Sequence, residues 1–324
     1  MSEPLFPVRI VQMRYEATDI LSFVLRPLDG SDLPPVDPGA HVDVHLSGDL
    51  MRSYSLSNGV GDDGAYRLTI ARDANSKGGS TFIHDKLRVG QTIEISAPRN
   101  NFELAVDAPF SLFFAGGIGV TPFLPMVRRL NEQSRPWRLH YAVRTPERAA
   151  LLRELEGLAA ASDGKGEVLP NYDEAPGGKM IDLSALIAAA PKGTHTYCCG
   201  PIGMLDAFRK CCDAGGLPSE RVHFEYFSSN VETATEGGYT VVMAKSGTEI
   251  VVPAGQTILH AVNDAGANVP FSCEEGVCGA CETRVIEGLP DHRDMILSDA
   301  ERAENKTMMI CCSGAKSDRL VLDL

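Results

Sequence analysis

Three cysteines, Cys273, Cys278 and Cys281, stand within nine residues of the chain, and a fourth, Cys311, follows after 29 further residues. Six of the nine cysteines form adjacent pairs, whose geometry is poor for a mutual disulfide. The N-terminal sequence MSEPLFPVRI lacks a basic stretch followed by a long apolar run, so we expect no secretory signal. Metal binding or redox chemistry is therefore favoured over a disulfide framework.

The spacing C-x4-C-x2-C with a distant fourth cysteine is that of a plant-type [2Fe–2S] site. Gly276, Gly279 and Ala280 are small, so the loop can wrap closely and direct backbone N–H groups at sulfur. A structural zinc site, the alternative, more often uses two C-x2-C pairs. Cys311 and Cys312 are both candidates for the fourth ligand. The loop spacing and neighbouring sequence favour Cys311.

The first hundred residues are predicted to form β-structure. The alternating segments are HVDVHL at 41–46, YRLTIAR at 66–72 and QTIEISAP at 91–98, with turn clusters between them. Several short strands at this spacing predict an antiparallel barrel or sandwich. His41 and His45 fall on the polar face of the first segment. We predict that this face is solvated and that these histidines do not bind metal.

The middle of the chain, roughly 110–227, alternates predicted strands with predicted helices. The strands are SLFFAGG, WRLHYAV and THTYCCG, and the helices are TPFLPMVRRLNEQ, PERAALLRELEGLAA and PIGMLDAFRKCCDAG. This rhythm predicts a parallel sheet that binds ligands at the carboxyl ends of its strands. The uncharged stretch 108–127 has the length of a membrane span. Its glycines and prolines instead indicate a strand, a turn and a helix start.

The last 90 residues are the more acidic part of the chain. They hold 14 acidic and 7 basic residues, hence −7 of the total charge of −13. A chain with this net charge is not expected to bind nucleic acid. A polar stretch ending at Gly238 is predicted to be a linker. Beyond it, YTVVMAKSGTEIVVPAG predicts a hairpin and QTILHAVNDAGA a short amphipathic helix.

Two pairs of motifs suggest phosphate binding. AGGIGVTP at 115–122 ends a strand and opens a helix, whose free N–H groups suit a pyrophosphate. It is not a G-x-G-x-x-G fingerprint, but YCCGP at 197–201 supplies a second glycine turn at a strand end. RSYSLSN at 52–58 and SKGGS at 76–80 together offer the arginine, lysine, serine and N–H groups that suit a phosphate monoester.

These motifs, in this order, resemble the phthalate dioxygenase reductase family, the reductase partners of Rieske oxygenases, which includes vanillate demethylase and carnitine monooxygenase reductases. The resemblance covers essentially the whole chain and also includes HFEYF, DHRDMILSD and the terminal LVLDL. It implies three domains. They are an antiparallel β-barrel flavin domain at 1–107, an α/β parallel-sheet NAD domain at 108–228 and, after a linker at 229–238, a β-grasp plant-type ferredoxin domain at 239–324.

The resemblance also implies roles for individual residues. The flavin phosphate would be held by Arg52, Lys77, Gly78, Gly79 and Ser80. Along the flavin ring would lie Tyr54, Ser55 with its hydroxyl near N5, Ile70 and Ala71 at the pyrimidine edge, and Phe227 stacked on the ring. The NAD-binding residues would be Gly117, Thr121, Pro201 and, beside the nicotinamide, Cys199. Ser55 and Cys199 are the catalytic candidates, and the cluster ligands would be Cys273, Cys278, Cys281 and Cys311.

The cofactors implied by the resemblance are FMN, a [2Fe–2S] cluster and NADH as substrate, with FAD left open. An acidic residue after the second strand of the NAD domain would mark the ribose 2′-hydroxyl of NAD. Here that strand ends in VRTPER, whose Arg144 and Arg148 could tolerate a 2′-phosphate. Arg144 is therefore a further cofactor-binding candidate, and NADPH remains open.

The expected function is transfer of a hydride from NADH to the flavin, followed by transfer of single electrons through the cluster to an oxygenase. The acidic last domain would dock a basic patch on that partner. We expect a cytoplasmic monomer with no membrane contact. The alternatives are another acceptor, such as a diiron monooxygenase or a soluble ferredoxin, and a zinc-stabilised binding protein without enzymatic activity.

Overall fold

A computed structural model describes residues 5–47, 50–58, 64–74, 76, 78–228 and 231–324. The chain divides into two compact units, with the division between Phe227 and Ser228. The described residues contain no helix with both the length and the apolar character needed to cross a bilayer. The longest uncharged stretch instead holds a strand, a 3-10 turn and the start of a helix, as predicted.

The first part of the larger unit is a six-stranded antiparallel sheet in the order β4-β3-β6-β1-β2-β5. Its elements are β1 (Leu5–Ala17), β2 (Ile20–Pro27), β3 (His41–His45), β4 (Met51–Ser55), β5 (Tyr66–Ala71), α1 (Gly79–Lys86) and β6 (Thr92–Ser96). A bridge between Leu56 and Leu68 joins the two edge strands. Because the edges meet, the sheet closes into the predicted barrel.

His41 is not solvated, contrary to the prediction. Its side chain is buried, and among the described residues neither ring nitrogen has a hydrogen-bond partner. Burial lowers the pKa of His41 to about 4. The polar face of β3 is covered because Asp43, on the same face, accepts hydrogen bonds from Ser53 and from Arg99 of the chain after β6. Alternation identified the face correctly but not what covers it.

The second part of the larger unit is a five-stranded parallel sheet in the order β11-β10-β7-β8-β9. Its strands are β7 (Ser111–Gly116), β8 (Trp137–Val143), β9 (Gly166–Tyr172), β10 (His195–Cys199) and β11 (Val222–Glu225). Its helices are α2 (Phe123–Glu132), α3 (Leu152–Ala160), α4 (Leu183–Ala188) and α5 (Ile202–Ala214). Every residue of central β7 is buried, as expected for a parallel strand with helices on both faces.

The helix predicted from Pro146 begins only at Leu152. Residues Pro146–Arg148 form a 3-10 turn, and Leu151 adopts a left-handed φ of 59°, which interrupts the helical path. The local reason is an ion pair across the unit: Arg148 reaches Asp19 at 3.3 Å, while the Thr18 N–H donates to the Glu147 carbonyl. Tertiary contacts therefore shorten a helix that the periodicity alone would extend.

Ion pairs also join the barrel to the parallel sheet. Glu154 of α3 accepts a hydrogen bond from Arg67 of β5 at 2.9 Å and another from Arg128 of α2. These charges lower the pKa of Glu154 despite the desolvation that opposes this shift. Because the two sheets share this network, they form one compact unit.

The smaller unit is a mixed five-stranded sheet in the order β13-β12-β18-β14-β16, with a two-stranded ladder of β15 and β17. The strands are β12 (Thr240–Met243), β13 (Thr248–Val251), β14 (Glu282–Glu287), β15 (Pro290–Asp291), β16 (Thr307–Met309), β17 (Gly314–Ala315) and β18 (Arg319–Leu322). The helices are α6 (Ile258–Asp264) and α7 (Asp299–Glu304). The predicted hairpin and α6 are confirmed, and α6 packs its apolar side into the core of this sheet.

Candidate cofactor sites

The candidate phosphate site joins Arg52 of β4 to the start of α1. A Cβ atom on Gly79 would stand 2.5 Å from Arg52 Cγ, so the arginine stem lies against bare backbone. Gly78 precedes the helix at φ 98° and places no side chain over its first turn. The guanidinium and the helix start thus share one location, which fits a phosphate. Ser80 lies in the first turn of α1, and Lys77 lies outside the described residues.

The candidate ring site lies where β4 ends beside β5. The Ser55 side chain is buried, and its Oγ atom has no hydrogen-bond partner among the described residues. A buried hydroxyl without a partner is costly, so a bound group that pairs with it would fit here. Tyr54 precedes it, and desolvation raises the pKa of this phenol. Ile70 and Ala71 end the neighbouring strand, whose pairing is fixed by the bridge from Leu56 to Leu68.

Two glycine turns meet at the carboxyl edge of the parallel sheet. A Cβ atom on Gly119 would stand 2.2 Å from the Cys199 carbonyl oxygen, and one on Gly116 would stand 2.5 Å from Pro201 Cδ. Only glycine allows this backbone approach. Gly117 opens the turn at φ 54°, and buried Thr121 donates from Oγ1 to the Ile118 carbonyl at 3.0 Å. The structure therefore brings AGGIGVTP and YCCGP together, as the sequence predicted.

Cys199 and Glu225 pair across β10 and β11 at this same edge. Burial raises the pKa of the Cys199 thiol well above its usual value, and the charge of Glu225 adds to the shift. Burial also raises the pKa of Glu225 to about 8, and its Oε2 atom has no partner in the described part of the chain. This carboxyl can hold a proton at neutral pH.

Sequence reasoning missed Glu225, although HFEYF places one acidic residue in the strand after YCCGP. Phe227 follows two residues later, and its side chain is 40% exposed, unusually open for a phenylalanine. An exposed aromatic two residues after a protonatable carboxyl with a buried Oε2 atom suits the edge of a site that takes up an aromatic ring.

Arg144 lies directly after β8, as predicted, but it is paired. Its Nε atom stands 3.4 Å from Oε1 of Glu174, and both side chains are largely exposed. Arg148 is paired as well, with Asp19. Arg144 and Arg148, the two arginines predicted from the sequence to tolerate a 2′-phosphate, therefore each lie beside a carboxylate.

The four cysteine thiols of the predicted cluster site come together in the smaller unit. Cys273 contacts Cys278 and Cys311, and Cys311 also contacts Cys281. The contacts are pairwise. Within the described residues, no three Cys, His, Asp or Glu side chains form a group suited to a single ion. The thiols form two contacting pairs, Cys273 with Cys278 and Cys281 with Cys311. Two pairs fit a cluster in which each of the two irons is bound by two thiolates.

Backbone N–H groups of the cysteine loop are directed at sulfur, as predicted. Glu275 and Val277 donate to Cys273 Sγ at 3.3 and 3.4 Å, and the Cys273 N–H donates to Cys278 Sγ at 3.5 Å. Such donors stabilise thiolate and help set the potential of a bound cluster. The loop therefore fits a [2Fe–2S] group by its donor set as well as by its thiols.

Cys312 contacts the thiol of Cys311 but has no hydrogen-bond contact with the three loop cysteines. A Cβ atom on Gly276 would stand 2.5 Å from Cys312 Sγ, and the thiol donates to the Met309 carbonyl at 3.7 Å. Cys311 contacts two loop cysteines, Cys273 and Cys281, whereas Cys312 contacts only Cys311, which favours Cys311 as the fourth ligand.

The segment around buried Asp294, which belongs to the DHRDMILSD motif of the family resemblance, holds the cysteine loop in place. The Met295 N–H donates to the Gly276 carbonyl at 2.9 Å. The Asp294 carboxylate accepts from the N–H groups of Ile296 and Leu297 at 3.1 and 2.8 Å, and Arg302 donates to the Asp294 carbonyl. These bonds hold the turn of the cysteine loop at Gly276 in place.

Two family models match the chain. Residues 241–316 match a 2Fe-2S iron-sulfur cluster binding domain, a range that contains the four grouped cysteines. Residues 113–210 match an oxidoreductase NAD-binding domain, a range that contains both glycine turns. Each model thus falls on one of the sites that the geometry identifies.

Similar proteins match over almost the whole chain. The phenoxybenzoate dioxygenase subunit beta of Ectopseudomonas oleovorans is 48% identical, over 98% of this chain and 97% of its own. The vanillate O-demethylase oxidoreductase of Pseudomonas sp. (strain HR199 / DSM 7063) is 44% identical, over 98% and 99%.

Two solved structures match nearly the full chain. An intact type IV self-sufficient cytochrome P450 monooxygenase has a TM-score of 0.85 at 37% identity, covering 99% of this chain but 41% of its own. Phthalate dioxygenase reductase, described as a modular structure for electron transfer from pyridine nucleotides to [2Fe-2S], has a TM-score of 0.73 at 37% identity, covering 99% and 98%. The chain belongs to the phthalate dioxygenase reductase family and is an NADH-dependent oxidoreductase with NAD-binding and [2Fe–2S] ferredoxin domains.

Proposed function

We propose that this chain is the reductase component of a Rieske-type oxygenase and carries FMN. The observation that carries the proposal is the grouping of Cys311 with the three loop cysteines, because it adds a one-electron centre to a nicotinamide-binding scaffold. When bound, the flavin would take up the two electrons of a hydride and the cluster would pass electrons singly. The relatives named as dioxygenase and demethylase components support an oxygenase as the acceptor.

Each part of the chain then has a task in handling the bound groups. The flavin phosphate would be held by Arg52, Lys77, Gly78, Gly79 and Ser80. The flavin ring would be oriented by Tyr54, Ser55, Ile70, Ala71 and Phe227. The dinucleotide would be held by Gly117, Thr121, Arg144 and Pro201, with Cys199 beside the nicotinamide. The cluster would be held by Cys273, Cys278, Cys281 and Cys311.

In this proposal, two polar side chains assist the reaction: Ser55 orients the flavin ring and Glu225 holds a proton. The unpaired Ser55 hydroxyl would hydrogen-bond the flavin ring and fix its orientation. Glu225, with a pKa raised to about 8 by burial, would hold a proton beside Cys199 at neutral pH. Buried Cys199, whose pKa is raised, would present a neutral thiol to the nicotinamide.

The domain boundaries proposed are 1–107, 108–228 and 239–324, with a linker at 229–238. They are supported by the gap between β6, which ends at Ser96, and β7, which begins at Ser111. The division of the chain after Phe227 and the start of β12 at Thr240 support the later boundaries.

FMN rather than FAD is proposed because the phosphate site is a compact group of one arginine and one helix start. The test is to release the flavin with acid and identify it by chromatography, with iron and acid-labile sulfide measured on the same sample. One FMN with two irons and two sulfides per chain is expected. FAD as the released flavin would overturn the FMN proposal.

The acidic ferredoxin unit is proposed as the docking surface for a basic patch on the oxygenase, with the reductase a cytoplasmic monomer. The charge of −7 on residues 235–324 would steer the encounter and raise the association rate. The rate of oxygenase reduction should therefore fall as ionic strength rises past 0.1 M. A rate that is insensitive to salt would exclude this docking mode.

A P450 haem domain is the second candidate acceptor, favoured by the structural match to the self-sufficient P450 monooxygenase. The two candidates are separated by mixing the NADH-reduced chain with a Rieske oxygenase component or with a P450 haem domain. Faster reduction of the Rieske centre supports the first proposal, and faster haem reduction supports the second.

A further inference from the structure

Asp294 is a buried carboxylate at the turn of the cysteine loop, and its side chain is 0% exposed. A Cβ atom on Gly276 would stand 3.2 Å from Asp294 Cβ and 2.5 Å from Cys312 Sγ, so the three residues meet at this turn. Cys312 in turn contacts the thiol of Cys311, one of the proposed cluster ligands. Asp294 is therefore separated from the cluster thiols by a single layer of residues.

The two oxygens of this carboxylate have different surroundings. Oδ2 accepts from the N–H groups of Ile296 and Leu297 at 3.1 and 2.8 Å. Oδ1 has no hydrogen-bond partner among the described residues, and His292 Nδ1 stands 3.8 Å from it, beyond hydrogen-bond reach. Because the side chain is shielded from bulk water, its charge is screened less than a surface charge would be.

Arg302 of α7 offsets this carboxylate only in part. Its Nη2 atom stands 3.7 Å from Asp294 Oδ2 and donates to the Asp294 backbone carbonyl. The guanidinium is shared with Asp299, whose Oδ1 atom stands 3.8 Å from Arg302 Nη1. The arginine side chain is 29% exposed, so water solvates the positive charge better than the negative one. A negative field therefore remains at the turn of the cysteine loop.

We propose that Asp294 and Arg302 set the reduction potential of the bound [2Fe–2S] group, with Asp294 lowering it and Arg302 raising it. An added electron makes the cluster more negative, so a nearby carboxylate opposes reduction and a nearby guanidinium favours it. A lower potential makes electron transfer from the cluster to a partner more favourable. This role requires only the [2Fe–2S] group, whatever flavin or oxygenase the chain uses.

The test is Asp294→Asn in the full chain loaded with its cofactors. Asparagine keeps the shape of the side chain and one oxygen for the Ile296 and Leu297 N–H groups, but it removes the charge. The midpoint potential of the cluster is measured by EPR along an anaerobic redox titration. We expect it to rise by about 59 mV, which is a tenfold rise in the equilibrium constant for one-electron reduction.

Arg302→Gln should shift the potential in the opposite direction. We expect the same constant to fall about threefold, a smaller change because the guanidinium is partly solvated. Arg302→Lys keeps the positive charge and should restore most of that loss. Opposite signs are the signature of a field, because a structural defect would not reverse its effect with the sign of the charge removed.

Asp291→Asn is the matched control. Asp291 belongs to the same segment and loses the same charge, but its side chain is 28% exposed and lies 2.8 Å from Arg293 Nε. Solvent and this arginine both reduce its field at the cluster. We expect less than about a twofold change in the constant for this variant.

Three results would overturn the inference: an unchanged potential in Asp294→Asn at full iron content, an equal rise in Asp291→Asn, or shifts of the same sign in Asp294→Asn and Arg302→Gln. If Asp294→Asn does not retain iron, the two Arg302 variants decide. A lower potential in Arg302→Gln alone supports the inference, and equal potentials overturn it. Failure of the proposed cluster site is recognised separately: the unaltered chain would then give no [2Fe–2S] EPR signal, and the inference would fall with it.

Discussion

Two regions differ in whether their polar groups have hydrogen-bond partners. One is the nicotinamide edge, the carboxyl edge of the parallel sheet where Cys199 and Glu225 pair, and the other is the cysteine loop of the smaller unit. At the edge, Glu225 Oε2 is buried without a hydrogen-bond partner in the described residues. In the loop, three N–H groups already point at sulfur, and the Met295 N–H fixes the turn at Gly276. A site for a group that must come and go leaves its polar atoms open. A site for a resident group is organised beforehand.

The largest expected effect concerns iron binding by the cysteine loop and Cys311. Cys311→Ala should remove most of the bound iron, at least tenfold against the unaltered chain, because Cys311 contacts two of the other thiols. The adjacent Cys312→Ala is the control and should retain the iron, since Cys312 turns toward Gly276. Iron analysis and the absorption of the cluster decide. Equal loss in both variants would break the distinction between the two cysteines.

Glu225 gives the largest effect expected at the open edge. Its pKa is raised by burial from 4.5 to about 8, so between these values the folded chain binds a proton that the unfolded chain releases. Stability should therefore fall as pH rises through this window, by about 2–4 kcal/mol in total. Glu225→Gln should flatten that part of the profile, as measured by denaturant unfolding at pH 5 and pH 9.

Glu220→Gln is the control for this profile. Glu220 lies in the 3-10 turn before the same strand and is exposed, so its removal should leave the decline with pH in place. A decline that persists in Glu225→Gln would show that this carboxyl is not held in its protonated form.

The room inside the cysteine loop can be measured with two glycines of equal φ. Gly276 and Gly247 both have φ of 70°, but a Cβ atom would meet Cys312 Sγ at 2.5 Å only at Gly276. Alanine at either position costs about 1–2 kcal/mol for the left-handed backbone. Gly276→Ala should cost about 1–3 kcal/mol more, from overpacking. Equal thermal destabilisation of the two variants would mean that the loop has room for a methyl group beside Cys312.

Ser55 gives the smallest effect. Ser55→Ala removes a hydroxyl without a protein partner, so the apo chain should lose no stability, whereas the rate of flavin reduction by NADH should fall about threefold to tenfold. Ser57→Ala is the control, because Ser57 Oγ donates to the Arg67 carbonyl at 3.0 Å and its loss should destabilise the fold. Stopped-flow absorbance and thermal unfolding report the two quantities. Destabilisation by Ser55→Ala would show a structural hydroxyl instead.

The two regions also differ in how far the sequence predicts them. The cysteine loop is contiguous, and its ligand spacing and small residues indicate the site directly. The nicotinamide edge depends on pairs formed only by the fold: Glu225 with Cys199, and Glu174 with Arg144. Neither pair has a local signal, because parallel register and strand ends bring the partners together. Burial of His41 and the late start of α3 have the same origin in contacts from distant segments.

The central claim is that one chain passes electrons from NADH to the thiol-bound cluster. The most direct measurement is the visible absorption and EPR of the loaded chain, kept anaerobic, before and after NADH is added. The account predicts that flavin and cluster bands both bleach and that the EPR signal of a reduced [2Fe–2S] cluster appears. Bleaching of the flavin without that signal would contradict the account, because the four cysteines would then hold zinc or no metal.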